Sequence, residues 1–316
     1  MRIGILVLCL AALALFGNDY IVSLIVVIGL EALPALGLAL LAGYTGQISL
    51  GHAAFYGLGA YGAALLGQAL GVPAWLDILL AAILVAVVAR VIGWVVFRLN
   101  GHYLAMATLA FGIIVQIGLV EWRDVTGGPD GLGNISSLNL IGRMLITDQS
   151  YVPVIAVVCI SSILLAQNLI MSPRGVVMRA IAGNEKTAAA LGNDVQAVKR
   201  DVMMLSGFLS ALGGGLYAHY IGYLSPGPFD VGFSIRLLLM VAIGGFSNLW
   251  GVLFGVVFVT LIGELLKPLG GYDVIAFGAL LVISVIFFPK GIHTALNGLP
   301  RLLHLSHLKF RKGAVQ

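Results

Sequence analysis

Mostly apolar residues come in long runs at 3–17, 20–42, 47–70, 75–97, 101–121, 151–171, 201–223, 233–248, 250–267 and 272–289. A helix crosses the hydrocarbon core of a bilayer with about 20 mostly apolar residues, or fewer where protein surrounds it. The pattern therefore predicts about ten spans. The expected fold is all-α, a polytopic transmembrane helical bundle forming one domain over residues 1–316. The first run, MRIGILVLCLAALALFG, shares Arg2, an apolar core and small residues with signal peptides. The next run starts at Tyr20 after only Gly17-Asn18-Asp19, so 1–17 is read as a short first span and a tight turn.

Polar residues gather in two of the gaps. Residues 172–201 read SPRGVVMRAIAGNEKTAAALGNDVQAVKRD and hold Arg174, Arg179, Glu185, Lys186, Asp194, Lys199, Arg200 and Asp201. Ala188, Ala189, Ala190 and Leu191 are strong helix formers, and Asn184 is placed to cap a new helix start. Gly183 and Gly192 stand where helix ends suit a residue free to take positive φ. One or two short helices between spans are expected, either as a solvated connector or as a docking surface for a soluble partner. The other gap, 122–150, contains TGGPDGLGNI at 126–135, whose glycines and Pro129 demand a defined irregular path.

Composition sharpens this picture. The chain is 60% hydrophobic and 9% charged, with mean hydropathy +1.07. Soluble domains carry about 25% charge, so a soluble globular fold is excluded. The formal net charge is +4, and its placement matters more than its size. Basic residues fill 172–201 and a tail at 290–316 with Lys290, Arg301, Lys309, Arg311 and Lys312. By the positive-inside rule both face the cytoplasm. Counting spans from Arg2 places Arg98, the 172–201 loop and both termini on that side. It places 122–150, where Asp124, Asp130 and Asp148 outnumber Arg123 and Arg143, on the opposite side. A basic tail directly after a span suits anionic lipid headgroups, not nucleic acid. Cys9 and Cys159 lie in apolar runs without disulfide or metal spacing.

Candidate chemistry within the spans is sparse. Many of the 42 glycines fall in small-xxx-small spacing, as in Gly51, Gly57, Gly59 and Gly62, in Gly207, Ala211 and Gly215, and in Gly251 and Gly255. Such spacing lets helices approach closely, or lets the backbone unwind beside a pathway. The stretch 43–52, GYTGQISLGH, joins two spans yet carries Tyr44, Thr45, Gln47, Ser49 and His52. It is either a broken-helix element of a substrate path or an ordinary turn. Glu31 lies mid-span, three residues before a helix-kinking Pro34, where it either bonds a neighbouring helix or meets substrate. Glu264 and Lys267 sit at local ion-pair spacing. No GxxxxGK[ST], GxSxG or HExxH pattern occurs, and His219 and His293 stand alone near span ends. Neither an enzyme nor a metal site is expected.

Five stretches resemble one family. GYTGQISLGHAAFYGLGAY (43–61), GHYLAMATLAFG (101–112), TGGPDGLGNI (126–135), SPRGVVMRAIAGNEKTAAALG (172–192) and the run from Gly207 to Gly251 look like the LivM-type permease of branched-chain amino acid ABC importers. The resemblance implies an ABC importer permease fold in a bacterial inner membrane. It also implies a second, LivH-like permease, two cytoplasmic ATPases that bind ATP and Mg, and a periplasmic substrate-binding protein. Within it, 172–201 becomes the coupling loop, with Arg179, Glu185, Ala188, Ala189 and Gly192 as its ATPase-coupling residues. Lys186 and Thr187 depart from the family's Glu-Ala-Ala…Gly pattern. Glu31, Thr45, Gln47, Ser49 and His52 are the candidates for the translocation path. The implied cargo is leucine, isoleucine or valine, although relatives also carry urea, short amides or aromatic acids. The alternative function is an ion-gradient-driven secondary transporter or channel, with Glu31 as its protonatable group.

Overall fold

The computed structural model describes residues 18–140, 143–266 and 273–287. The expected span at 3–17, the basic tail and Lys267 lie outside the described residues. Among the described residues, six helices are long and apolar enough to cross a membrane. They are α1 (Asp19–Thr45), α3 (Ala74–Val96), α4 (His102–Glu121), α6 (Asp148–Met171), α9 (Val195–Ile221) and α11 (Leu249–Leu266). The other expected spans form the less apolar α2 (His52–Leu70) and the shorter α10 (Val231–Gly244) and α12 (Asp273–Phe287). Among the described residues three shorter α-helices lie between these: α5 (Arg123–Thr126), α7 (Pro173–Gly183) and α8 (Glu185–Ala190). A two-residue hairpin, β1 (Asn139–Leu140) with β2 (Arg143–Met144), is a local feature of one loop.

The bundle is built around α9, which packs most extensively on α3, α2 and α1. Lipid gives helices little hydrophobic drive to associate, so close approach of small residues supplies the attraction. A Cβ on Gly59 would run into the backbone of Ala211, and one on Gly214 into that of Tyr56. A Cβ on Gly37 would lie 2.7 Å from the Ser206 carbonyl. Gly213 accommodates the bulge of Pro34, around which α1 continues unbroken. The Gly251 and Gly255 pair serves a different contact, letting α11 fold back against α10 at Gly244 and Met240.

The connections cluster at two ends. At one, Gly43 meets Phe246, the Tyr44 hydroxyl donates to the Ser247 carbonyl at 2.7 Å, and Gln196 donates to the Phe97 carbonyl at 3.0 Å. This end also holds α7 and α8. At the other, Leu132 and Leu224 exchange backbone hydrogen bonds at 2.8 and 2.9 Å. There the TGGPDGLGNI loop follows the irregular path its glycines demand. Gly131 takes φ +77, and a Cβ on it would strike the Leu224 carbonyl.

Candidate functional site

The charged segment is a small structure in its own right. Ser172 stops α6, and Pro173 opens α7 at the position where its missing N–H costs nothing. Arg179 turns back to donate to the Ile170 carbonyl at 2.9 Å, placing a cation at the C-terminus of α6. Asn184 caps α8 as expected, accepting the Thr187 N–H at 3.1 Å. Gly192 takes φ +85. Gly183 does not need that freedom: it ends α7 in helical backbone, and the extended Asn184 makes the turn instead.

Ile181, Ala188 and Val195 form a second hydrophobic cluster separate from the bundle core. Ala188 is therefore 1% exposed and faces inward, whereas Ala189, Gly192 and a 74% exposed Leu191 face out. Glu185 turns toward the bundle. Its carboxylate lies 2.6 Å from Lys199 Nζ, a side chain fully buried in the first turns of α9 and set beside the Phe97 ring. A buried ammonium without a counter-ion is costly, so this pair fixes α8 to the base of α9.

Between α1 and α2 the chain is extended and enters the bundle. The Gly46 N–H closes α1 from a left-handed conformation, φ +70. From there burial alternates: Thr45, Gln47 and Ser49 point in, Gly46 and Ile48 point out. The Leu50 N–H donates to Thr108 Oγ1 at 3.0 Å, well inside α4. His52 Nε2 lies 2.6 Å from Ser206 Oγ, deep in α9, and the Ala53 N–H donates to Ser234 Oγ at 3.0 Å. So α2 starts within the body of the bundle rather than at its edge. The irregular backbone of this segment is enclosed by protein, the condition under which such backbone is tolerated inside a bundle.

The structure brings parts of both candidate sets together. A cleft of about 890 Å³ is bounded by Gly46, Gln47 and Ile48, by the start of α4, and by Glu185 and Ala189 of α8. Glu31 stands apart from the other path candidates. Thr260 Oγ1 lies 2.8 Å from its carboxylate, across a separate cavity that Arg236 also lines. Glu264 accepts from the Tyr20 hydroxyl at 2.6 Å.

Two ionisable residues escape a sequence reading focused on Glu31: Asp77 and Arg236. Each interrupts an apolar run, which was the available signal. His219 is not alone: its Nε2 lies 2.8 Å from Asp77 Oδ1 and its Nδ1 2.6 Å from the Ser136 carbonyl. Tyr151 donates to the His219 carbonyl at 2.7 Å. Among the described residues, no group of three His, Cys, Asp or Glu converges as metal ligands would.

Comparison with known proteins gives one consistent result. Residues 20–288 match the family described as branched-chain amino acid transport system / permease component. The chain is 28% identical over 280 residues to the high-affinity branched-chain amino acid transport system permease protein LivM of Escherichia coli K12. It is 29% identical over 280 residues to the LivM protein of Salmonella typhimurium LT2. Each alignment covers 81% of this chain and 66% of the relative, so the chain spans just under two thirds of the relatives' length. A probable LivM protein of Methanocaldococcus jannaschii is 24% identical over 233 residues, covering 72% of this chain and 66% of that protein. No solved structure matches the chain.

Proposed function

This chain belongs to the branched-chain amino acid transport permease family, and we propose that it is a membrane-spanning permease subunit of an ATP-binding cassette importer. Its cargo is a branched-chain amino acid, the substrate named for its relatives. In this reading the chain pairs with a second, LivH-like permease in a bacterial inner membrane. Two cytoplasmic ATPases bind ATP and Mg, and a periplasmic binding protein delivers cargo. The α7–α8 end and both termini face the cytoplasm, and the 122–150 loop faces the periplasm. The chain moves cargo and does no covalent chemistry.

One observation carries this reading. The exposed α8 is joined through Glu185 and Lys199 to α9, the helix on which α1, α2 and α3 all pack. A push on α8 from an ATPase that closes on ATP therefore reaches the centre of the bundle directly. Uphill movement then requires only that cargo bind the outward and inward states with different affinity.

The test is Ala189→Trp, which adds bulk to the outward face of α8 and leaves the Ala188 cluster intact. ATP-driven leucine uptake by vesicles holding the complete transporter is expected to fall below a tenth of wild type, about 1.4 kcal/mol in coupling. The variant keeps its thermal unfolding temperature. Undiminished uptake, or uptake that persists without ATP while a proton gradient is kept, would defeat the importer reading.

A further inference from the structure

A second cavity, of about 360 Å³, lies between α1, α10, α11 and α12. Its walls carry Glu31, Arg236, Thr260 and Glu264, with Met240 and Phe277 among its apolar lining. Its size is at the lower end for small-molecule sites. Glu31 sits near the middle of α1, at the depth where an ionisable side chain is most costly.

The arrangement of charge is the informative part. Opposite charges at that depth normally neutralise each other by pairing. Glu31 and Arg236 face one cavity, yet among the described residues they form no ion pair with each other. The Thr260 hydroxyl engages Glu31 from α11. Arg236 lies between two aromatic rings, 5.4 Å from the centre of Phe233 and 5.9 Å from that of Phe277. Its guanidinium makes no hydrogen bond or ion pair among the described residues. Glu264 is engaged by the Tyr20 hydroxyl. An anion or a cation entering the cavity would satisfy only one of Glu31 and Arg236. A small molecule bearing both an ammonium and a carboxylate satisfies both at once.

We propose that this cavity binds the zwitterionic head of an amino acid, Arg236 taking the carboxylate and Glu31 the ammonium, with the side chain against Met240 and Phe277. A guanidinium presents a planar fork that matches a carboxylate in two parallel hydrogen bonds. The aromatic rings hold that fork in place while leaving its N–H groups free. The choice of leucine as probe rests on the permease reading; the charge geometry does not.

The experiment measures binding to the full chain in lipid nanodiscs, without ATP, using labelled L-leucine. L-leucinamide lacks the carboxylate and 4-methylpentanoate lacks the ammonium, and both serve as competitors. Wild type is expected to prefer L-leucine over each by about tenfold or more, the loss of one charge-assisted contact. Arg236→Gln should abolish the preference over leucinamide and keep the one over 4-methylpentanoate. Glu31→Gln should do the reverse. Charge-keeping Arg236→Lys and Glu31→Asp should retain both preferences. A folded wild type without saturable leucine binding, or Gln variants that keep both preferences, overturns the proposal. Should the Gln variants fail to fold, a photoreactive leucine analogue on the wild type decides. Labelling of α10 and α11 supports the site, and labelling confined to other helices overturns it. Parallel ATP-driven uptake separates the two readings. Uptake with unchanged preferences sinks this cavity alone, and selective binding without uptake sinks the importer alone.

Discussion

Where α9 ends, the loop at 127–147 is fastened by paired backbone hydrogen bonds between Leu132 and Leu224. Further ties run from His219 to Ser136 and from the Tyr223 hydroxyl to the Asp130 carbonyl. Behind them stands a fully buried contact between Asp77 and His219. Where α9 begins, α8 is held by three small apolar side chains, by Asn193 donating to the Ala188 carbonyl at 3.1 Å, and by one ion pair with its carboxylate 34% exposed. The first closure is many-stranded and dry; the second is light and half in solvent. Local opening costs little where few apolar contacts and exposed bonds do the holding. The difference makes one end firmly closed and the other easier to open locally, and in the proposed importer the looser end is the one an ATPase would push.

Removing the strongest tie at the fixed end should have the largest effect on stability. Asp77→Ala leaves a buried imidazole without its hydrogen-bond partner and is expected to cost about 1–3 kcal/mol, read as a lower unfolding temperature in detergent. A loss no larger than that of an exposed substitution would mean that the two ends are equally lightly held. Breaking the tie at the movable end should act on coupling more than on the fold. Glu185→Ala strands Lys199, and ATP-driven uptake should fall about tenfold; the unfolding temperature should fall by less than in Asp77→Ala, because α8 can open locally and let Lys199 reach solvent. The exchanged pair, Glu185→Lys with Lys199→Glu, should recover part of the uptake, and failure to do so would assign Glu185 to a surface contact. The smallest effect is expected at Asn184→Ala, which loses a cap worth about 1 kcal/mol. It should speed hydrogen exchange at the Thr187 amide while leaving α9 protected. Equal acceleration along α9 would show that α8 and the bundle move as one body.

Much of this architecture was legible in the chain. Nine of the apolar runs fall on described helices, because burial in lipid demands a long apolar stretch whatever the tertiary arrangement. The Asn184 cap and the positive φ at Gly192 follow from local chemistry and were readable too. The pairings were not. Asp77 meets His219 and Lys199 meets Glu185 through three-dimensional proximity, which hydropathy does not encode. The reading of Arg179 and Ala188 shows the same limit. The resemblance puts both among the ATPase-coupling residues; in the structure Arg179 caps α6 and Ala188 fills a small core, contacts that the resemblance does not encode. Glu264 has spacing that suggests Lys267, which lies outside the described residues; within them it also accepts from the hydroxyl of Tyr20, far away in the chain, a contact that spacing does not encode.

The central position of α9 has a consequence for how the protein is made. α1, α2 and α3 leave the ribosome long before the helix they pack against exists. Residues 97–194 separate them from it, and at about 5–20 residues per second that interval lasts on the order of 5–20 s. Through that time the grooves beside Gly37, Gly59 and Ala89 have no helix to fill them. Lipid chains are the available occupants, and α9 must displace them when it arrives. The bundle is thus assembled around a vacancy, and its keystone is set near the end.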